Sequence, residues 1–181
     1  PDLVISADFS LSTIYWNDGE SGTFTEAAWQ DGDISTEENG MGTLIHDFNG
    51  DGLADMIVSA PFLDGVAGVQ SGRAYIVYGQ TADANAFPDI NLSALDGADG
   101  LVLDGPTAGT RFGQGVESLG DINGDGLDDM AIAAPFLDNN GADTGSVFVI
   151  FGQVGGIGDS FNVNTLNGNN GFRIDGDSQI P

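Results

Sequence analysis

Cysteine is missing from this 181-residue chain, and so is lysine. Without cysteine there are no disulfides, no zinc–thiolate sites and no thiol nucleophile. Cysteine absence does not fix the compartment. Arg73, Arg111 and Arg173 are the only cations set against 28 Asp and Glu, for a formal charge of −25. Nucleic-acid binding needs a basic surface, so that class is excluded. Attraction to an anionic membrane face is excluded on the same ground. No stretch approaches the ~18 apolar residues of a membrane-spanning helix. No basic segment precedes an apolar one at the start, so no signal peptide is visible. The chain opens at Pro1 rather than Met, which leads us to expect a processed or partial chain.

Glycine, at 29 residues, is abundant, as expected for many short strands joined by tight turns. Internal similarity is the strongest signal. Asp47-Phe-Asn-Gly-Asp-Gly-Leu-Ala-Asp-Met-Ile-Val-Ser-Ala-Pro-Phe-Leu-Asp64 reappears as Asp121-Ile-Asn-Gly-Asp-Gly-Leu-Asp-Asp-Met-Ala-Ile-Ala-Ala-Pro-Phe-Leu-Asp138, offset by 74. Gly72–Gln80 answers Gly145–Gln153, Ile90–Gly100 answers Phe161–Gly171, and Leu101–Gly105 answers Phe172–Gly176. Small drifts in the offset put insertions in loops. Pro1–Ala7 resembles Ala54–Ala60, which makes Asp2 the last residue of a similar loop. The sequence reads as a window on a longer array.

Apolar runs of strand length lie at Leu3–Ala7, Thr13–Trp16, Gly22–Ala27, Met56–Ala60, Ala74–Tyr78, Met130–Ala134 and Val147–Phe151. Gly, Asn, Asp and Pro clusters punctuate them, and no window carries a 3.6-residue period. Tyr75, Val77, Phe148 and Ile150 alternate with other apolar residues, which predicts strands buried on both faces.

The repeated loop is Asp-x-Asn-Gly-Asp-Gly-x-x-Asp. Ca²⁺ takes about six to eight oxygen ligands, and alternate oxygen-bearing residues in a tight loop can converge on one ion. We assign Asp47, Asn49, Asp51 and Asp55 as side-chain ligands of one site, with the Leu53 carbonyl. Asp121, Asn123, Asp125 and Asp129, with the Leu127 carbonyl, form the second. Two ions would add +4 to −25, leaving −21, so calcium alone does not offset the charge. A saline or calcium-rich surrounding would, and weak calcium sites fill outside cells. An EF-hand needs a bidentate Glu at its twelfth position; Val58 and Ile132 stand there, and strands rather than helices flank the loops. A dockerin-like pair fails for the same reasons, and no nonapeptide array of a calcium β-roll is present.

Phe112-Gly113, the calcium loops and the closes at Ser59-Ala60-Pro61 and Ala133-Ala134-Pro135 resemble the FG-GAP repeat, the blade unit of the integrin α-subunit β-propeller. The first glycine of Gly-Ala-Pro is replaced in both copies, and Met41-Gly42 stands roughly where Phe-Gly would be. Residues 1–45 resemble the looser bacterial relatives found in large secreted proteins. The resemblance implies an all-β fold of four-stranded antiparallel propeller blades, here part of a larger propeller. It divides the chain into a partial divergent repeat at 1–40, a repeat at 41–110, and a repeat with the start of the next blade at 111–181. It also implies that calcium rigidifies a hairpin loop at the propeller rim.

No catalytic residues are expected. His46, the single histidine, reads as a strand residue or one bracing the first loop, because Ca²⁺ prefers oxygen. No nucleophile elbow appears. Among the many carboxylates a glycosidase-like pair is possible, although most Asp residues fall in loops and turns. Asp64 and Asp138 read as turn residues. Trp16 and Trp29, with Tyr15 and Phe24, read as core, with a carbohydrate platform as the alternative. Asn91-Leu92-Ser93 matches a glycosylation acceptor, a motif common by chance. The expected function is a calcium-binding, non-enzymatic extracellular or cell-surface segment for adhesion, ligand binding or assembly. Its partners would be a protein or carbohydrate ligand and the rest of the propeller or other copies. The alternatives are a part of a secreted polysaccharide- or lipid-acting enzyme, or a structural repeat of a surface filament or layer.

Overall fold

A computed structural model describes residues 3–8, 11–17, 24–26, 43–81, 90–138, 144–158 and 161–177, with side chains from residue 46 onward. The described residues form three antiparallel sheets. The first joins β1 (Leu3–Asp8), β2 (Leu11–Asn17) and β3 (Phe24–Glu26) in that order. The second is a meander of β4 (Thr43–His46), β5 (Asp55–Ala60), β6 (Arg73–Val77) and β7 (Gly100–Asp104). The third repeats it with β8 (Val116–Gly120), β9 (Asp129–Ala134), β10 (Ser146–Ile150) and β11 (Gly171–Asp175). The seven expected strands therefore exist, with ends differing by one or two residues. The four strands without a long apolar run, β4, β7, β8 and β11, complete the two meanders. Residues 2, 22, 23, 27 and Trp29 lie outside the described residues, as do the side chains of Tyr15, Trp16 and Phe24.

Period-2 alternation sorts the second sheet into two faces. Ile57, Ala74, Ile76, Leu101 and Leu103 enter one core cluster, while Tyr75, Val77 and Leu92 enter another with Val102. The sequence-derived expectation of strands buried on both faces therefore holds for β6. The first cluster continues into the third sheet through Met130, Ile132, Phe148, Ile150 and Val163. By the repeat register, those residues correspond to Met56, Val58, Tyr75, Val77 and Leu92. One face of the second sheet thus packs on the opposite face of the third. Such front-to-back stacking is heterologous and can propagate from sheet to sheet, which is how propeller blades are arranged. The two meanders are β-propeller blades.

The Phe-Gly pair is wedged where the blades meet. The Phe112 ring is fully buried and meets Phe148 edge-on, with centroids 5.5 Å apart. Its N–H bonds the Ser71 carbonyl at 3.1 Å, and Gly72 bridges to Phe112 in parallel. Gly72 has φ +77, and a Cβ there would lie 2.2 Å from the Phe112 oxygen, so no larger residue fits. Tyr78 adds a second tie between blades: its hydroxyl accepts the Ile157 N–H at 2.8 Å.

The repeats also reveal a compensated substitution. In the first blade Asp104 pairs with Arg73, Nη2 to Oδ1 at 2.6 Å. The equivalent of Arg73 in the second blade is Ser146, whose hydroxyl donates to Asp175 at 2.8 Å. Arg173, in place of Val102, supplies the cation at 2.7 Å. Asn91 and Asn162 cap matching 3-10 turns at Leu92–Ala94 and Val163–Thr165, accepting from Ser93 N and Asn164 N. The amide oxygen of Asn91 is therefore engaged in a turn that recurs without a glycosylation motif.

Candidate metal centre

Both candidate loops join the first and second strands of a blade, β4 to β5 and β8 to β9. Each loop must reverse within the eight residues between its strands while directing side-chain oxygens inward. Glycines at positive φ make this possible: Gly50 at 74°, Gly52 at 84°, Gly124 at 82° and Gly126 at 92°. A Cβ at Gly52, Gly124 or Gly126 would meet nothing within 4 Å, so backbone conformation rather than crowding selects glycine there.

The two loops are nearly superposable in their hydrogen bonds. Asp47 accepts Gly50 N at 2.8 Å and Gly52 N at 3.0 Å, as Asp121 accepts Gly124 N at 2.6 Å and Gly126 N at 2.8 Å. Asn49 accepts Asp51 N at 2.9 Å and Asn123 accepts Asp125 N at 2.8 Å. Asp51 and Asp125 accept Leu53 N and Leu127 N at 2.7 and 2.9 Å. The backbone N–H of Gly126, aided by those of Gly124 and Asp125, holds the Asp121 carboxyl below the usual carboxylate range.

The last aspartate behaves differently. Asp55 and Asp129 are fully buried. Asp55 spans from the loop to the end of β6, taking Phe48 N and Gly79 N on its two oxygens, both at 2.8 Å. Asp129 does the same with Ile122 N and Gly152 N at 3.0 Å. Burial pushes the Asp55 carboxyl above its ordinary range; the two N–H bonds oppose this, and negative Asp51 and Asp47 add to it. This anchoring role was not anticipated from sequence. Its trace was the repeated Gly-Gln at Gly79-Gln80 and Gly152-Gln153, which supplies the amides.

Asp47, Asn49 and Asp51 thus share one loop, with Asp55 at its base, and the second set is arranged alike. Their oxygens face the loops' own amides, and among the described residues no three carboxylates or imidazoles converge as a ready metal cluster. The donor chemistry suits a hard cation, since all eight side chains offer oxygen. A carboxylate with one N–H on each oxygen keeps lone pairs for an ion. Leu53 and Leu127 sit two residues before β5 and β9, on the limb that leads each loop into its strand.

His46 ends β4, and its Nδ1 bonds the Asp128 carboxylate of the neighbouring blade. The first loop has Ala54 where the second has Asp128, so this departure from the repeat serves a contact between blades. The first loop is clasped further by Gln153 N to Phe48 O at 3.2 Å and Gly155 N to Asn49 O at 2.9 Å. Asp64 is a turn residue, accepting Gln70 N at 2.8 Å.

The FG-GAP repeat family matches residues 42–77 and 112–150, and the related FG-GAP-like repeat matches residues 1–58. The chain belongs to the FG-GAP repeat family. It is 39% identical over 122 residues to integrin alpha-5 of Xenopus laevis, covering 65% of this chain and 10% of the relative. Integrin alpha-PS5 of Drosophila melanogaster is 32% identical over 121 residues, covering 66% and 10%. Phosphatidylinositol-glycan-specific phospholipase D of Rattus norvegicus is 38% identical over 119 residues, covering 65% and 14%. The matched region is thus a small part of each of these relatives.

Proposed function

We infer that this chain is a segment of a non-catalytic, calcium-stabilised extracellular β-propeller that serves adhesion, ligand binding or surface assembly. The observation that carries this reading is the pair of all-oxygen loops, set at the same hairpin of two consecutive FG-GAP blades with matching hydrogen bonds. Asp47, Asn49, Asp51 and Asp55 with the Leu53 carbonyl would hold one Ca²⁺. Asp121, Asn123, Asp125 and Asp129 with the Leu127 carbonyl would hold the other. Bound calcium supplies positive charge where carboxylates crowd and cross-links the loop to the strand that follows it. Blade limits near residues 41 and 111 fit the observed meanders.

The partners would include further blades. The third sheet leaves Phe172 and Ile174 39% and 54% exposed, whereas their counterparts Leu101 and Leu103 are buried against a neighbouring blade. The remainder of the same propeller, or other copies, would cover such a face. The integrin relatives favour an adhesive or ligand-binding role with a protein or carbohydrate ligand. They also favour a place outside the cell or on its surface. Among the described residues, no helix is long and apolar enough to cross a membrane. A second reading, attachment to a secreted lipid-acting enzyme, draws on the phospholipase D relative. Counting bound ions tests the calcium reading. Metal analysis after dialysis against Ca²⁺ should give about two ions per chain, and about one for Asp51→Ala or Asp125→Ala. Retention of two ions by either variant would refute the ligand assignment.

A further inference from the structure

At the end of the blades opposite the calcium loops, Arg111 is held in an arrangement that the calcium sites do not require. β5 and β9 run from the calcium end to Ala60 and Ala134, and each is followed by the repeated Pro-Phe, Pro61-Phe62 and Pro135-Phe136. The guanidinium of Arg111 packs against both rings, its central carbon 4.8 Å from the Phe62 centroid and 4.5 Å from that of Phe136. The cation is thereby held against equivalent aromatic residues of consecutive repeats.

Its edges are another matter. A guanidinium carries five N–H donors in one plane, suited to a two-pronged grip on a carboxylate. Arg73 and Arg173 spend theirs on Asp104 and Asp175. Among the described residues, Arg111 makes no ion pair, in a chain with 28 acidic residues. Its position is also fixed at a conformational cost. Gln70 and Arg111, at φ 48° and 50°, are the only described non-glycine residues with positive φ. They bond to each other, Arg111 N to Gln70 O at 3.1 Å. Thr110, nearly fully buried, locks the same connection with its hydroxyl on Ser71 O and Thr107 O, both at 2.9 Å. Strained non-glycine backbone held by surrounding bonds is a recurrent mark of a functional position.

The surface beside the clamp is aliphatic. Val69, 65% exposed, gives its carbonyl to Gly109 N at 2.8 Å, two residues before Arg111. Val66, in the same tight hairpin, is 82% exposed. We propose that Arg111, clamped by Phe62 and Phe136, is a docking point for a partner protein segment that presents one carboxylate flanked by aliphatic residues. A fixed arginine framed by aromatic and aliphatic surface is the composition of an interface anchor. A polyanion is disfavoured, because the field of a −25 chain repels dense negative charge whereas one contact-range pair is local.

The test uses the arginine Nε–H resonances of the intact chain, three in number because the sequence holds three arginines. The probes are a capped hexapeptide with one glutamate among valines and leucines, the same peptide with glutamine instead, trigalacturonate, and inorganic phosphate, all at about 0.15 M ionic strength. The glutamate peptide should shift the Arg111 resonance saturably and leave those of Arg73 and Arg173 in place. The glutamine peptide should bind about tenfold more weakly. Arg111→Lys, which keeps charge but loses the planar fork, should weaken binding roughly fivefold. Val66→Ser, at an exposed position without structural duty, should weaken it about twofold while the melting curve stays unchanged. If Arg111→Lys fails to fold, the wild-type peptide comparison and Val66→Ser decide alone. Equal binding of the two peptides, no shift at Arg111, or tighter binding of trigalacturonate or phosphate than of the glutamate peptide would overturn the proposal.

Discussion

Asp55→Ala lowers the unfolding free energy by about 2–4 kcal/mol in chelator, and by more in calcium, where a ligand is lost as well. The reason is the pair of backbone N–H groups, Phe48 and Gly79, that its buried carboxylate receives. Alanine leaves both without an acceptor beside a fully buried ring, and each orphaned group costs about 1–3 kcal/mol. Relief of repulsion from Asp51 and Asp47 offsets part of that. Asp129→Ala should behave likewise through Ile122 and Gly152. Asp51→Ala is the informative contrast. Its side chain is exposed and bonds only within the loop, so it should matter in calcium and hardly at all in chelator. Urea titrations of both variants, with and without EDTA, separate the anchor from the ligand. An Asp55→Ala protein as stable as wild type in EDTA would show that the anchor bonds carry no weight.

Phe148→Ala should cost about 3–5 kcal/mol, the range for a fully buried phenylalanine whose site cannot collapse. Its ring sits between blades, edge-on to Phe112, in the cluster that joins Ile57, Ile76 and Leu103 of one blade to Met130 and Ile132 of the next. The substitution therefore empties the shared core rather than one sheet. Because a domain's net stability is commonly only about 5–15 kcal/mol, loss of cooperative unfolding is the expected reading in denaturant. Val154→Ala, 85% exposed, is the control and should stay within about 0.5 kcal/mol of wild type. A Phe148→Ala protein that unfolds at the wild-type midpoint would contradict the front-to-back packing of the blades.

The fold was legible because each blade carries two strands that are apolar on successive residues. Met56–Ala60 and Ala74–Tyr78 announce themselves, and their echoes at Met130–Ala134 and Val147–Phe151 show that the unit repeats. Strands such as β8, with Glu117 and Ser118, and β11, with Arg173 and Asp175, mix polar and apolar residues and emerge only as partners of the apolar ones. The loops were legible as oxygen clusters, since their logic is local and spans nine residues. What sequence could not supply is contact between distant segments. Asp55 meets Gly79 across a hairpin, His46 meets Asp128 across two blades, and Arg111 meets Phe62 and Phe136 from different repeats. None of these pairs has a spacing that a periodic pattern encodes; the first follows from strand pairing within a blade, and the others join residues of different blades.

That stacking ties the first loop to its neighbour through Asn49 and Phe48, so an ion in the loop would steady the interface as well as the hairpin. The most direct measurement is a thermal melt of the chain in millimolar calcium and again in excess EDTA. A ligand at about one hundred times its dissociation constant stabilises a fold by roughly 2.7 kcal/mol per site, so the midpoint should fall by several degrees or more in EDTA and recover when calcium is restored. Identical midpoints in calcium and in EDTA would contradict structural calcium.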